Sequence, residues 1–274
     1  MTRLTPDLIE NVPDDGIDID SILLGSTGKT MKGIAVEAAG LDDDMDLSGY
    51  TAAVIPITSG MGIIGGFSKS VDAILRRLGV DSHVTEGTDV LGFSEAISSG
   101  ADMVFMADDS MFIAYNVREK KYITNFYGTA LGYSVVLKNA AGGIEGKDVL
   151  VIGAGQVGSR ASRILSDMGA SVTVTDKIIE KAHDLGKDIG AKVMTDVEEA
   201  LSSHTYVLNA APAIFPGRLV REGAVISTPG VPHYFDEEAW AKAKAIIHDP
   251  LEIGVATMAA CCIAFSIRKE EESK

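Results

Sequence analysis

Gly153-Ala154-Gly155-Gln156-Val157-Gly158 sets glycines at the spacing a backbone needs to wrap a pyrophosphate. In such a G-x-G-x-x-G run Gly153 makes a tight turn. Gly155 leaves the main chain bare where a phosphate approaches, and Gly158 lets a helix lie close to a strand. The helix opening at Gln156 and Val157 presents unpaired N–H groups and a positive dipole end to that anion. Asp176 ends the next apolar run, where a carboxylate accepts hydrogen bonds from the adenosine ribose hydroxyls and repels a 2′-phosphate. That favours NAD over NADP, and the adjacent Lys177 does not remove the repulsion. A glycine turn alone is weak evidence. Here it follows the apolar run Val149–Ile152, opens a helix and leads to a second run, Val172–Thr175, that closes on the acid. A nucleotide site is preferred over a plain βαβ turn on that context.

Two further groups could recognise a small charged molecule. Thr58-Ser59-Gly60-Met61-Gly62-Ile63-Ile64-Gly65-Gly66 follows an apolar run, and its main-chain N–H groups with the Thr58 and Ser59 hydroxyls suit a carboxylate. Asp108 and Asp109 follow another apolar run, and paired carboxylates there can hold an ammonium group. In isolation, a tight turn without ligand and an Asp pair capping the next segment explain the same residues equally well. Together the two loops describe a site for a zwitterion, an amino acid in particular. No Ser/His/Asp, Cys/His or metal-ligand spacing occurs among the five histidines and two cysteines. His83 and His248 lie near strand ends and are the candidates for proton transfer, but no side chain is assigned as catalytic.

These residues need elements to hold them. The chain has 274 residues, 46% of them hydrophobic and 23% charged, enough for two domains. A formal net charge of −15 argues against nucleic acid and anionic membrane partners, which call for basic patches. Asp14, Asp15, Asp18, Asp20 and Asp42-Asp43-Asp44, with Glu270-Glu271-Glu272, read as solvated acidic surface. Cys261 and Cys262 are adjacent in an apolar stretch and read as core residues of a reducing cytoplasm. The opening Met1–Asp20 does not have the pattern of a signal peptide, and Ile253–Ile267 is too short and alanine-rich for a membrane span. A cytoplasmic enzyme is expected, with monomer and homodimer both open.

The fold class expected is α/β: a C-terminal Rossmann dinucleotide-binding domain with a smaller N-terminal α/β substrate domain. In the first half, strands Ala52–Ile57, Ser82–Thr85 and Met103–Met106 alternate with helices Phe67–Leu78 and Phe93–Ser98. That is a parallel βαβαβ sheet. Phe112–Phe126 is mixed in character. The second half supplies strands Val149–Ile152, Val172–Thr175, Lys192–Met194, Tyr206–Asn209, Ala224–Ser227 and Ile246–His248, as a doubly wound sheet requires. The expected division is residues 1–127 for substrate, a linker helix within 128–146, residues 147–252 for dinucleotide, and a C-terminal helix in 253–274. Because that last helix is apolar all round, it is expected to pack on the first domain or the linker helix. Ligands of open α/β sheets bind beyond the carboxyl ends of the strands. Besides the loops above, this singles out Ser227-Thr228-Pro229-Gly230 and His248-Asp249-Pro250-Leu251-Glu252.

At these loops the chain resembles the pyrrolysine synthase family. The matching text includes Leu4-Thr5-Pro6, Ile55-Pro56-Ile57-Thr58-Ser59-Gly60, Gly62-Ile63-Ile64-Gly65, Phe67-Ser68, Met106-Ala107-Asp108-Asp109, Val225-Ile226-Ser227-Thr228-Pro229-Gly230 and Pro250-Leu251 before Ile253-Gly254. It covers both halves apart from the acidic insert near Asp14–Asp20. The resemblance implies NAD-dependent oxidation of the terminal amine of L-lysine-Nε-(3R)-3-methyl-D-ornithine to an imine. Ring closure with loss of ammonia then gives pyrrolysine. It also implies that Leu4, Thr58, Ser59 and Asp108 contact this amino-acid substrate and that Ile64 lines its apolar part. Where the family has Glu before Pro250 this chain has Asp249, so the ammonium contact falls to Asp249 or to Glu252. Asn209-Ala210-Ala211-Pro212 departs from the family's text, and main-chain contact to NAD is expected from Ala211, Pro212 and Thr228. The alternatives are another two-domain NAD-dependent amino-acid or folate-type one-carbon dehydrogenase, and a non-catalytic NAD-sensing protein. A folate enzyme calls for a lysine motif not found here, and a sensor has no use for the Thr58–Gly66 and Asp108 loops.

Overall fold

The structure, a computed structural model, describes Ile9, Val12 and residues 19–272, with side chains through Arg268. Leu4, Asp14, Asp15 and Asp18 lie outside the described residues. The chain divides into two compact units. One is built from Thr30–Thr129 with the described residues from Pro250 onward, the other from Asp20–Lys29 and Ala130–Asp249.

In the first unit β1 (Thr51–Ile55), β2 (Asp81–Val84), β3 (Met103–Ala107), β4 (Phe112–Asn116) and β5 (Lys121–Thr124) form one sheet in the order β2-β1-β3-β4-β5. β1 runs parallel to both β2 and β3, as the βαβαβ pattern requires. Its run Ala52–Ile55 is buried throughout, the signature of a central parallel strand covered on both faces. Helix Phe67–Arg77 crosses from β1 to β2 and buries Val71, Ile74 and Leu75, spaced three and one apart on a single face. The second crossover helix, Asp89–Ser98, starts four residues before the expected Phe93. Its first turn exposes Val90 and Leu91, at 83% and 70%, so it carries no apolar period to read.

The region of mixed character resolves into two antiparallel strands, β4 on β3 and β5 on β4, making the sheet mixed beyond its parallel part. β4 buries Phe112, Ala114 and Asn116 in alternation. Asn116 is a polar residue at a buried position, and its Nδ2 donates to Cys262 O and Ser266 Oγ, both at 2.9 Å. Those acceptors lie on the helix Glu252–Glu272, which also packs on helix Met31–Ala39. Its apolar residues Ile253–Ala264 are buried all round. Burial pushes the Cys261 thiol up to about 12 and that of Cys262 up as well, so both are protonated core residues. No helix among the described residues is long and apolar enough to cross a membrane.

The second unit contains β6 (Asp148–Ile152), β7 (Ser171–Thr175), β8 (Lys192–Val193), β9 (Tyr206–Asn209), β10 (Ala213–Phe215), β11 (Val225–Ser227), β12 (His233–Phe235) and β13 (Ala245–Ile247). Six are parallel, in the order β13-β11-β9-β6-β7-β8. This is the doubly wound order, with the switch point between β6 and β9. Leu150, Ile152, Val207, Phe215 and Ile226 lie in one core. β10 and β12 pair with each other in a small parallel ribbon, their Phe215 and Phe235 rings stacked at 4.5 Å. Each has three residues, too few to display an alternation in sequence.

Phe105 is among the largest fully buried side chains and sits in the first unit's central sheet. Phe105→Ala is expected to cost about 3–5 kcal/mol, read as a lowered urea midpoint; an unchanged midpoint would contradict this packing.

Candidate dinucleotide and substrate sites

The turn after β6 has the geometry its glycines suggest. Gly153 sits at φ +97°, where a side chain is strained, and its N–H donates to Thr175 O at 2.8 Å. A Cβ on Gly158 would stand 1.8 Å from Gly153 O, so only glycine lets the helix Gln156–Asp167 come this close. A Cβ on Gly155 would meet nothing within 4 Å: this glycine faces open space, with Gln156 exposed and Val157 half-buried beside it. Gly155 is the helix N-cap and makes no side-chain cap bond, so the first-turn N–H groups point into that space. Asp176, directly after β7, accepts from Ala154 N at 2.5 Å and from Ile178 N at 2.7 Å. The acid is thereby tied to the glycine turn, and each carboxylate oxygen keeps a further lone pair.

On the other side of β6, Asn209 at the end of β9 is fully buried. Its Nδ2 donates to Thr228 Oγ1 at 3.0 Å and its Oδ1 accepts from Ala211 N at 3.2 Å. Its main-chain O accepts from Gly230 N at 2.9 Å, and a Cβ on Gly230 would stand 2.5 Å from Ala211 O. Ala211 and Thr228 are thus brought together with the glycine turn along one sheet edge, with Pro212 exposed just beyond. Asn209 is the connector that sequence reasoning passed over; a polar residue ending an apolar strand was its signal. The exposed backbone, open space at Gly155 and acid at the end of β7 fit a dinucleotide.

In the first unit the loops after β1, β2 and β3 meet at one edge, and carboxylates of the chain itself join them. Asp89 accepts from Thr58 N at 2.8 Å and Thr58 Oγ1 at 2.6 Å. The Thr58 hydroxyl and N–H hold Asp89 below the usual carboxylate range. Asp109 accepts from Met61 N at 2.6 Å, close enough that a Cβ on Gly60 would overlap its carboxylate. The glycine loop therefore does bind anions, but Asp89 and Asp109 supply two of them. Ser59 and Gly60 lie exposed between these clamps, and Ile64 is half-buried. Asp108 Oδ1 accepts from Ser110 N at 2.7 Å and Met111 N at 2.8 Å, closing the turn into β4. His83 is exposed on the edge strand β2.

Asp249 is buried in the second unit. The Tyr133 hydroxyl lies 2.5 Å from its main-chain O and 3.2 Å from Oδ2, and Asp249 N donates to that hydroxyl at 2.9 Å. Glu252, at the start of the last helix, is buried in the first unit and pairs with Arg77. Of the two carboxylates weighed for an ammonium group, Glu252 is engaged by an internal cation. Asp249 is not grouped with Thr58, Ser59, Ile64 and Asp108 in one unit.

Residues 9–123 match the family described as "Pyrrolysine biosynthesis protein PylD, N-terminal domain", and residues 124–231 match "Alanine dehydrogenase/PNT, C-terminal domain". Pyrrolysine synthase of Methanosarcina acetivorans is 32% identical over 267 residues, covering 94% of this chain and 98% of that protein. The Methanosarcina barkeri pyrrolysine synthase is 32% identical over 262 residues, covering 94% and 97%. Among solved structures, the Campylobacter jejuni FolD methylenetetrahydrofolate dehydrogenase/cyclohydrolase superimposes with a TM-score of 0.54 at 16% identity, covering 91% of this chain and 98% of that one. Quinate dehydrogenase from Corynebacterium glutamicum, solved in complex with NAD, gives 0.53 at 14% identity, covering 82% and 99%. These two likenesses are of fold alone.

Fold, glycine turn and the match to the alanine dehydrogenase/PNT domain together point to an oxidoreductase of the Rossmann dehydrogenase class. The near full-length identity to the Methanosarcina proteins goes further, and the chain belongs to the pyrrolysine synthase family.

Gly158→Ala is expected to displace the helix Gln156–Asp167 and weaken dinucleotide binding at least about tenfold by calorimetry, with far-ultraviolet dichroism retained. Unchanged affinity would contradict the close approach.

Proposed function

We propose that this chain oxidises the terminal amine of L-lysine-Nε-(3R)-3-methyl-D-ornithine to an imine with NAD, and that the imine closes to L-pyrrolysine with loss of ammonia. The observation that carries this is the 32% identity to pyrrolysine synthases over 94% of the chain. NAD, when bound, supplies the two-electron acceptor that takes hydride from the amine-bearing carbon. Gly155 leaves room for the pyrophosphate, and the N–H groups at Gln156 and Val157 face it. Asp176 accepts from the ribose hydroxyls and opposes a 2′-phosphate, which selects NAD over NADP. The main chain at Ala211, Pro212 and Thr228 borders the same dinucleotide without calling for particular side chains.

The substrate is a double amino acid, and the first unit's edge offers complementary groups. Ser59 and the remaining N–H donors of the loop suit a carboxylate. Asp108 Oδ1 is used by the turn, and its Oδ2 can accept from an ammonium group. Ile64 lines the apolar chain, and Leu4 stands as a further contact from the N-terminal segment. Hydride leaves readily only from a neutral amine, so the reacting nitrogen first loses a proton. Its lone pair then forms the C=N bond as the C–H pair departs. The ornithine α-amine adds to that carbon, the original nitrogen leaves as ammonia, and the five-membered ring remains. Orientation accounts for most of what the protein contributes to the second half of this sequence.

With this substrate and NAD⁺, the purified protein is expected to form NADH and pyrrolysine; folded protein that binds NAD⁺ yet forms neither would overturn the proposal. Asp176→Ala should raise KM for NAD about tenfold while changing kcat less, and Asp176→Asn should admit NADP. An unchanged KM in Asp176→Ala would remove the ribose role.

A further inference from the structure

Thr58 heads the glycine loop after β1, and both of its hydrogen-bond donors are already engaged. Its N–H donates to Asp89 Oδ1 at 2.8 Å and its hydroxyl to Asp89 Oδ2 at 2.6 Å. A hydroxyl carries one proton, so Thr58 keeps no donor for the carboxylate of another molecule. Asp89 also donates its own N–H to Pro56 O at 3.0 Å. One residue of the loop after β2 thus holds the chain on both sides of Ile57. Ser59 then carries the only side-chain hydroxyl of Thr58–Gly66 that Asp89 leaves open.

The Asp89 end of this contact is the rigid one. A Cβ on Gly92 would stand 2.4 Å from Gly87 O and 2.8 Å from both Ile55 Cγ2 and Thr85 Oγ1, so the helix Asp89–Ser98 is seated directly on the ends of β1 and β2. Glu95 of the same helix accepts from Glu86 N at 3.1 Å and Gly87 N at 2.9 Å, closing the preceding loop against it. Asp89 itself lies at φ +52°, a left-handed conformation that few residues with a side chain adopt and that Asp tolerates better than most. Such a conformation persists where its surroundings over-determine it. The Thr58 end has less support. Thr58, Ser59 and Gly60 are exposed, and Gly60 and Gly62 bring to the loop the conformational freedom of glycine.

We propose that Asp89 and Thr58 are a positioning pair for Ser59: Thr58 does not donate to the substrate, and Asp89, acting through it, sets the Ser59 hydroxyl for the substrate's carboxylate. This rests on the amine-oxidation reading above for the identity of that substrate. The resemblance that makes Thr58 a substrate contact gives it a donor role, and Asp89 has taken both donors. The fixed start of a helix thereby orients a loop of high intrinsic freedom, and the substrate meets a hydroxyl whose ordering does not have to be supplied on binding.

The test is a double-mutant cycle in steady-state rates with the lysyl-methylornithine substrate and NAD⁺, with urea midpoints measured beside it. Asp89→Gly suits the left-handed backbone and removes the carboxylate, so KM for the amino-acid substrate should rise about tenfold, with kcat and KM for NAD changed less. Asp89→Asn keeps the backbone and an acceptor for Thr58 N, and should recover most of that loss. Thr58→Val removes the hydroxyl and should raise the same KM about threefold in the wild type, yet add nothing in Asp89→Gly. A Thr58→Val effect of equal size with and without Asp89 means that the hydroxyl meets the substrate, and overturns the pair. An unmoved KM in Asp89→Gly, with or without a lowered urea midpoint, confines Asp89 to holding the fold and overturns it as well. Both outcomes leave the amine-oxidation reading standing. Where Asp89→Gly does not fold, the cycle is closed with Asp89→Asn and read the same way. A wild type that forms no NADH overturns both the pair and that reading.

Discussion

A Cβ at residue 158 would lie 1.8 Å from the Gly153 carbonyl oxygen, and the second unit is arranged around that missing atom. The absence of a side chain there lets the helix Gln156–Asp167 start directly against the turn after β6. Its first N–H groups then open onto the space in front of Gly155. Gly153 in turn bonds Thr175, and Ala154 bonds Asp176, so the end of β7 is fastened to the same turn. The open first-turn amides and the acid proposed to meet the ribose are thus positioned by one close contact. Asn209 does the corresponding work across β6, joining the loops after β9 and β11 through one buried amide.

The first unit solves a similar problem with charge. Its glycine loop exposes donors at the ends of three parallel strands, and a flexible loop of that kind would lose entropy on gripping a substrate. Asp89 and Asp109 hold it from the neighbouring loops, at Thr58 and Met61. The remaining donors are held ready between these clamps. Preorganisation of this sort suits the proposed reaction, in which an amine-bearing carbon has to be oriented.

The parts of the molecule legible in sequence were those with a strong period or a demanding backbone. Strands β1, β6, β7 and β9 and the helix Phe67–Arg77 show burial patterns written in their residues. β10 and β12 were not legible, because three residues cannot show alternation and their pairing depends on the Phe215–Phe235 stack between distant segments. The same holds for functional groups. Asp176 and Gly158 carry their roles in a local motif. Asp89 and Asn209 act through contacts across 31 and 19 residues of chain, which no local pattern specifies. Asp89 has a further disguise: at φ +52° it opens a helix whose first turn is exposed.

In the proposed reaction the amine that is oxidised is also the amine expelled. Placing ¹⁵N in the terminal amine of the ornithine portion and following the label through turnover with NAD⁺ decides this. The label should leave as ammonia, one per NADH formed, with the pyrroline nitrogen unlabelled. Label retained in the ring would contradict it.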